Sequence, residues 1–156
     1  MADSLFKVGV LGATGFIGSP YRAEIRECEE ADIVAVCARR EDLLDKAAQE
    51  DGARVATRDW REVVQHPDVN FVVVGTPDAL HHEAVLECAR HGKHLLCEKP
   101  VGMNAVEAEE MWTLYREASP SLAHFVPFWT RMVKVFETAR GIVASGELGE
   151  IVSTVF

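Results

Sequence analysis

Phe6-Lys7-Val8-Gly9-Val10-Leu11-Gly12-Ala13-Thr14-Gly15-Phe16-Ile17-Gly18 is the stretch on which the fold turns. Residues 6–11 form an apolar run with β-branched Val8 and Val10. A glycine cluster follows, and Ile17, Tyr21 and Ile25 then recur every four residues, as on a helix. Pro20 falls in the first turn of that helix, where a missing N–H costs least. A strand, a glycine-rich turn and a helix start are what a pyrophosphate group needs. Backbone N–H groups at the helix start point at the anion, and the helix dipole favours its charge. Glycines let the backbone come close and the helix pack on the strand. The candidate phosphate-binding residues are Gly12, Ala13, Thr14, Gly15, Phe16 and Ile17. A glycine turn with no ligand is the plainer alternative.

Outward from this stretch the chain alternates short β-like runs with helical patterns. Ile33–Cys37 reads as a second strand. Leu43, Leu44, Ala47 and Ala48 mark one helix face, which Gly52 ends. Arg54–Ala56 reads as a short third strand, and Asp59 caps a brief helix carrying Trp60, Val63 and Val64 before Pro67. Phe71–Val74 is an uninterrupted apolar strand, as expected where both faces are buried. A helix over Ala79–Arg90 stops at Gly92, and His94–Cys97 is the fifth strand. Asn104 with Glu107 forms a capping box ahead of a helix presenting Ala108, Met111, Trp112 and Tyr115. Leu122–Val126 is a sixth strand, Val133–Ser145 a helix stopped by Gly146, and Ile151–Phe156 the start of one more strand. This alternation predicts an α/β fold, a doubly wound parallel sheet of the Rossmann type in the order 3-2-1-4-5-6.

In such a sheet ligands bind at the carboxyl ends of the strands. The tip of the second strand reads Val36-Cys37-Ala38-Arg39-Arg40. An acid that bonds the ribose hydroxyls of NAD is expected near here, but Ala38 stands in its place. An acid would repel a 2′-phosphate, whereas the guanidinium groups of Arg39 and Arg40 can grip one, so the cofactor expected is NADP, with NAD as the alternative. Arg39 and Arg40 could instead be solvated, or paired with Glu41, Asp42 and Asp45. The fourth strand ends Gly75-Thr76-Pro77-Asp78, followed by His81, and the fifth ends Cys97-Glu98-Lys99-Pro100. Both turns should face the cofactor crevice. A lysine beside a nicotinamide can orient a substrate oxygen and stabilise charge on it.

These residues carry a resemblance. The glycine loop, Thr76-Pro77 with His81, and Gly92-Lys93-His94 leading into Glu98-Lys99-Pro100 resemble the N-terminal domain of the Gfo/Idh/MocA family. So do Arg131 and the run Ser145-Gly146-Glu147-Leu148-Gly149-Glu150-Ile151. The Glu-Lys-Pro turn is the specific signal; the Gly12-x-x-Gly15-x-x-Gly18 spacing also occurs in other reductase groups. The resemblance implies hydride transfer between NAD(P)(H) and sugars, polyols or related hydroxy compounds. It implies that Lys99 lies near nicotinamide and substrate as the catalytic residue, and that Glu98 lines the nicotinamide pocket. Thr76, Pro77, His81 and Arg131 would border the cofactor. It also implies a second domain, an open sheet that holds the substrate and usually a proton-moving histidine. Residues 1–150 would then be the cofactor domain, and 151–156 the first strand of a substrate domain truncated or absent here. A non-catalytic NADP-binding sensor or structural module is the alternative function, and a merely solvated Lys99 the alternative for that residue.

Composition narrows the classes. The 156 residues are 48% hydrophobic and 26% charged, the profile of one globular domain. A net charge of −9 argues against nucleic acid or an anionic membrane as main partner. No apolar run is long enough to span a bilayer, and Met1-Ala2-Asp3-Ser4 does not begin a signal peptide, so cytoplasm is expected. Cys28, Cys37, Cys88 and Cys97 have no metal-pair spacing and are expected to be reduced, buried or half-buried thiols. The adjacent His81 and His82 diverge on a helix, so no metal site is expected. Trp60 and Trp112 read as core or half-buried packing. A homo-oligomer is left open.

Overall fold

β1 (Phe6–Leu11) lies at the centre of the sheet because it pairs on both edges. It runs parallel to β2 (Ala31–Cys37) on one side and to β4 (Phe71–Val74) on the other. β3 (Val55–Thr57) extends the sheet beyond β2, and β5 (His94–Cys97) and β6 (His124–Phe125) extend it beyond β4. The order is 3-2-1-4-5-6 with every pair parallel. The computed structural model describes residues 6–118 and 121–155. They fall into two compact units, residues 1–126 and 127–156.

Helices cover both faces of the sheet in the first unit. α1 (Gly18–Arg26) and α2 (Glu41–Asp51) contribute Tyr21, Ile25, Leu44 and Ala48 to a cluster with Val8, Val10, Ile33, Val36 and Val73. α3 (Trp60–Gln65), α4 (His81–Arg90) and α5 (Ala105–Ala118) contribute Val63, Val85, Cys88, Met111 and Tyr115 to the opposite cluster, with Leu11, Val72 and Val74. Val72, Val73 and Val74 thus alternate between faces, and all three are buried. That is why β4 reads as an unbroken apolar run. Gly9 lies under α3; a Cβ there would run into Val63.

Helix ends follow local chemistry. Gly52 and Gly146 close α2 and α6 (Lys134–Ser145) in the left-handed conformation. The Asp59 carboxylate accepts from Arg61 N at 3.0 Å, and Asn104 Oδ1 accepts from Glu107 N at 3.0 Å. The Glu107 carboxylate accepts from Met103 N one residue before the cap, and from the Asn104 side chain. The predicted 79–90 helix resolves into a 3₁₀ turn (Asp78–Leu80) followed by α4. On α5, Met111 and Tyr115 are buried, while Trp112 is half exposed and sets its ring edge-on to His124. No described helix is long and apolar enough to cross a membrane.

The second unit holds a 3₁₀ turn (Trp129–Met132) and α6. The strand expected over 151–156 does not form: residues 151–155 have no regular secondary structure, and Phe156 lies outside the described residues.

Candidate functional site

The β1–α1 turn is held by the neighbouring strand ends. Gly12 N and Ala13 N both donate to Cys37 O at the tip of β2, at 2.9 and 3.0 Å, and Gly75 N donates to Leu11 O at 3.0 Å. Gly12 sits at φ +78°, and a Cβ on it would lie 2.5 Å from Gly75 O. The turn can therefore be made only by glycine. Gly15 N returns to Gly12 O at 2.9 Å. Among the described residues, the N–H groups of Thr14, Phe16 and Ile17 carry no internal hydrogen bond. They surround the start of α1, which has no side-chain cap and no acid in its first turn. α2 differs: Glu41 and Asp42 already occupy its first turn. An anion is favoured at α1 and opposed at α2.

A crevice of about 420 Å³ opens along this carboxyl edge. Its walls include Gly12, Thr14, Gly15, Phe16 and Ile17 of the turn, Ala38, Arg39 and Arg40 after β2, and Gly75, Thr76 and Pro77 after β4. Phe16 stands almost wholly exposed, at 92%. Thr76 Oγ1 is buried at this wall without a hydrogen-bond partner among the described residues. The free amides, the bare α1 start and this orphan hydroxyl all fit a pyrophosphate-linked dinucleotide.

The β5 end is built differently. Tyr21 Oη donates to Glu98 Oε1 at 2.5 Å, and Glu98 Oε2 accepts from Lys99 N at 3.0 Å. Burial, then the bond to Glu98, pushes the Tyr21 hydroxyl well above its usual range. His81 is fully buried. Its Nε2 faces Thr76 O and its Nδ1 faces Pro100 O, each at 2.9 Å. The ring thus braces the turn after β4 against the turn after β5. Lys99 is exposed and precedes a cis peptide to Pro100.

The model of an oxidoreductase family with an NAD-binding Rossmann fold, Gfo/Idh/MocA, matches residues 6–124. The chain belongs to the Gfo/Idh/MocA family. Among curated members, trans-1,2-dihydrobenzene-1,2-diol dehydrogenase of Macaca fascicularis is 34% identical over 141 residues, 89% of this chain and 42% of that protein. Levoglucosan dehydrogenase of Pseudarthrobacter phenanthrenivorans is 31% identical over 112 residues, 72% of this chain and 28% of that protein. The structure of scyllo-inositol dehydrogenase from Lactobacillus casei, bound to NAD(H) and scyllo-inositol, superposes with a TM-score of 0.87 at 25% identity. It covers 95% of this chain and 43% of that one. The chain therefore spans less than half the length of these Gfo/Idh/MocA proteins.

Not all of the expected site residues are among the crevice walls of this family member. Ala13 is wholly buried, its N–H bound to Cys37 O and its carbonyl accepting from Arg22 Nη1 at 3.4 Å. It supports the loop and does not line the crevice. Arg22 also bonds Ala47 O, Glu50 and Asp51, locking α1 to α2 behind the loop. His81, expected at the cofactor, has both ring nitrogens facing carbonyl oxygens and braces the two turns. Arg40 pairs with Asp42, its Nη2 2.7 Å from Oδ2, which is the alternative partnership open to it in the sequence. Glu98 and Lys99 follow the next strand and are not among the crevice walls. Arg131 lies in the second unit, where it lines a hollow with Thr130, Phe136, Glu137 and Arg140.

Other residues reach the site without a sequence motif. Arg58 and Trp60, just past β3, line the crevice with Leu80. Tyr21 reaches Glu98 across 77 positions of sequence. Parallel strands bring all carboxyl ends to one edge, so Arg58 could have been found by reading β3 as β2 was read. Three thiols are buried as expected, but Cys28 is exposed. Burial raises the Cys37 thiol to about 11, helped by Asp59 and Glu62, and the Cys97 thiol to about 12, helped by Glu98. Neither is a nucleophile near neutral pH.

Proposed function

We propose that this chain is the cofactor domain of a dehydrogenase that moves a hydride between NADP(H), or less favourably NAD(H), and a hydroxyl-bearing carbon of a sugar, polyol or related compound. The observation that carries the reading is the crevice along the carboxyl edge. It joins unbonded amides at an acid-free helix start to a strand tip with arginines where an acid would bind ribose. Thr14, Gly15, Phe16 and Ile17 would hold the pyrophosphate, Arg39 and its neighbours the adenosine end, and Thr76 and Pro77 the opposite wall. Bound there, the nicotinamide supplies the hydride acceptor or donor. Lys99 would orient the substrate oxygen and stabilise charge on it, held in place by the Glu98 and His81 braces. The proton of the hydroxyl needs a further group, which we assign to a second domain beginning near residue 151. Dehydrogenases among the relatives favour this reading over a non-catalytic module. Three buried unpaired thiols fit a reducing compartment, and we assign the cytoplasm. The charge of −9 favours a small-molecule partner over nucleic acid or membrane, and a homo-oligomer stays open.

The test is turnover of a longer protein carrying this chain and a substrate domain. Lys99→Met should lower kcat by roughly 100-fold or more, the scale of lost acid–base or charge stabilisation, with NADPH affinity little changed. Intact turnover would make Lys99 a solvated lysine beside the crevice.

A further inference from the structure

Three guanidinium groups, not two, stand at the adenosine end of the crevice. Arg39 and Arg40 follow β2, and Arg58 follows β3; all three line the same walls. β2 and β3 pair in register at Cys37 and Thr57, and Ala38 N donates to Thr57 O at 3.3 Å. Arg58 therefore stands one strand across from Ala38, the position from which the ribose-binding acid is missing.

The three arginines are not equivalent. Arg40 is committed to Asp42, with Nη2 2.7 Å from Oδ2 and Nε 3.3 Å from Oδ1. This pairing raises the Arg40 pKa and lowers that of Asp42. Among the described residues, neither Arg39 nor Arg58 has an ion pair or side-chain hydrogen bond. The acid beside Arg58 in sequence, Asp59, is turned to the start of α3, where it accepts from Arg61 N. Arg61 is engaged elsewhere, with Glu83 at 3.1 Å and over the Trp60 ring at 4.3 Å from its centroid.

We propose that Arg58 and Arg39, reaching from adjacent strand ends, form the clamp that selects the 2′-phosphate of NADP(H), and that Arg40 serves to hold the start of α2 through Asp42. Two planar donors from different strands can meet one phosphate from two sides, whereas Arg40 would first have to give up its carboxylate. The inference rests on the NADP preference proposed above and names the residues responsible.

The test is calorimetric titration of the 156-residue chain with NADPH and with NADH, alongside Arg58→Ala, Arg58→Lys, Arg39→Ala and Arg40→Ala. Arg58→Ala should weaken NADPH by roughly 10- to 100-fold, the scale of one charged hydrogen-bonding group, and NADH by less than about twofold. Arg58→Lys should recover part of the loss, because charge remains but the planar fork does not. Arg40→Ala should change NADPH by less than about threefold, as expected for an exposed pair outside the clamp. If Arg58→Ala leaves the NADPH-to-NADH ratio unchanged while Arg39→Ala collapses it, the NADP preference stands and the Arg58 clamp is overturned. If the unaltered chain binds both nucleotides equally, or neither, the reading beneath the clamp fails as well.

Discussion

At the β2–β3 end of the carboxyl edge, Arg39 and Arg58 extend from strand ends with no described partner. At the β4–β5 end several polar groups meet other parts of the protein: Tyr21 with Glu98, Glu98 with Lys99 N, His81 with Thr76 O and Pro100 O. The first end leaves its donors free for a ligand's charge. The second spends its donors on fixing the shape of two turns, and among the described residues the Lys99 side chain and the Thr76 hydroxyl are left without a partner. Substitutions at the first end should thus change selectivity with little effect on stability, and those at the second should change stability first.

His81→Ala is the hardest test of this difference. It removes a fully buried ring, leaves at least one of the carbonyls of Thr76 and Pro100 unpaired and opens a cavity, so urea unfolding should show a loss of about 3 kcal/mol. A loss under about 1 kcal/mol would mean that the two turns hold themselves, contrary to a brace.

The thiols probe the floor rather than the rim, one at each end. In the folded chain Cys37 keeps its proton to about 11 and Cys97 to about 12, against an ordinary value of 9.0. Between those values the unfolded state binds fewer protons than the folded state, so stability falls as pH rises from about 9 towards 12. Each thiol should contribute a loss on the order of 3 kcal/mol. Cys37→Ala and Cys97→Ala should each flatten that decline in unfolding measured across this range. An unchanged decline in both would place its origin elsewhere.

Tyr21→Phe removes only the hydroxyl bonded to Glu98 and should cost about 1 kcal/mol, read again by denaturant unfolding. The double change Arg39→Ala, Arg58→Ala should shift stability by less than about 0.5 kcal/mol, since neither side chain has a partner among the described residues. A larger loss in the arginine pair than in Tyr21→Phe would reverse the contrast between the two ends.

The elements that sequence reading recovered are those whose signals are local. β1, the glycine turn and α1 are contiguous, and Phe71–Val74 and His94–Cys97 fall where their apolar runs lie. Gly52 and Gly146 sit at the left-handed stops their positions suggested. The strand order followed from right-handed crossovers. The site was less legible because its details depend on contacts far apart in sequence. Ala13 looked like a phosphate donor, yet its amide is taken by Cys37 O across the sheet. His81 lies in the expected motif, but its ring also meets Pro100 O, 19 residues on. Arg58 carries no motif and acquires meaning only from the register of β3 against β2. The strand expected after residue 150 is not formed over 151–155, which have no regular secondary structure.

The central claim is that the carboxyl edge of the six-stranded sheet holds a nicotinamide dinucleotide. Backbone amide resonances of the isotopically labelled chain, followed during an NADPH titration, test it most directly. The account predicts saturable shifts at Thr14, Phe16, Ile17, Arg39, Arg58 and Thr76, with the outer face of α5 around Val106 and Glu109 unmoved. Shifts confined to α5, or none at the β1–α1 turn, would contradict it.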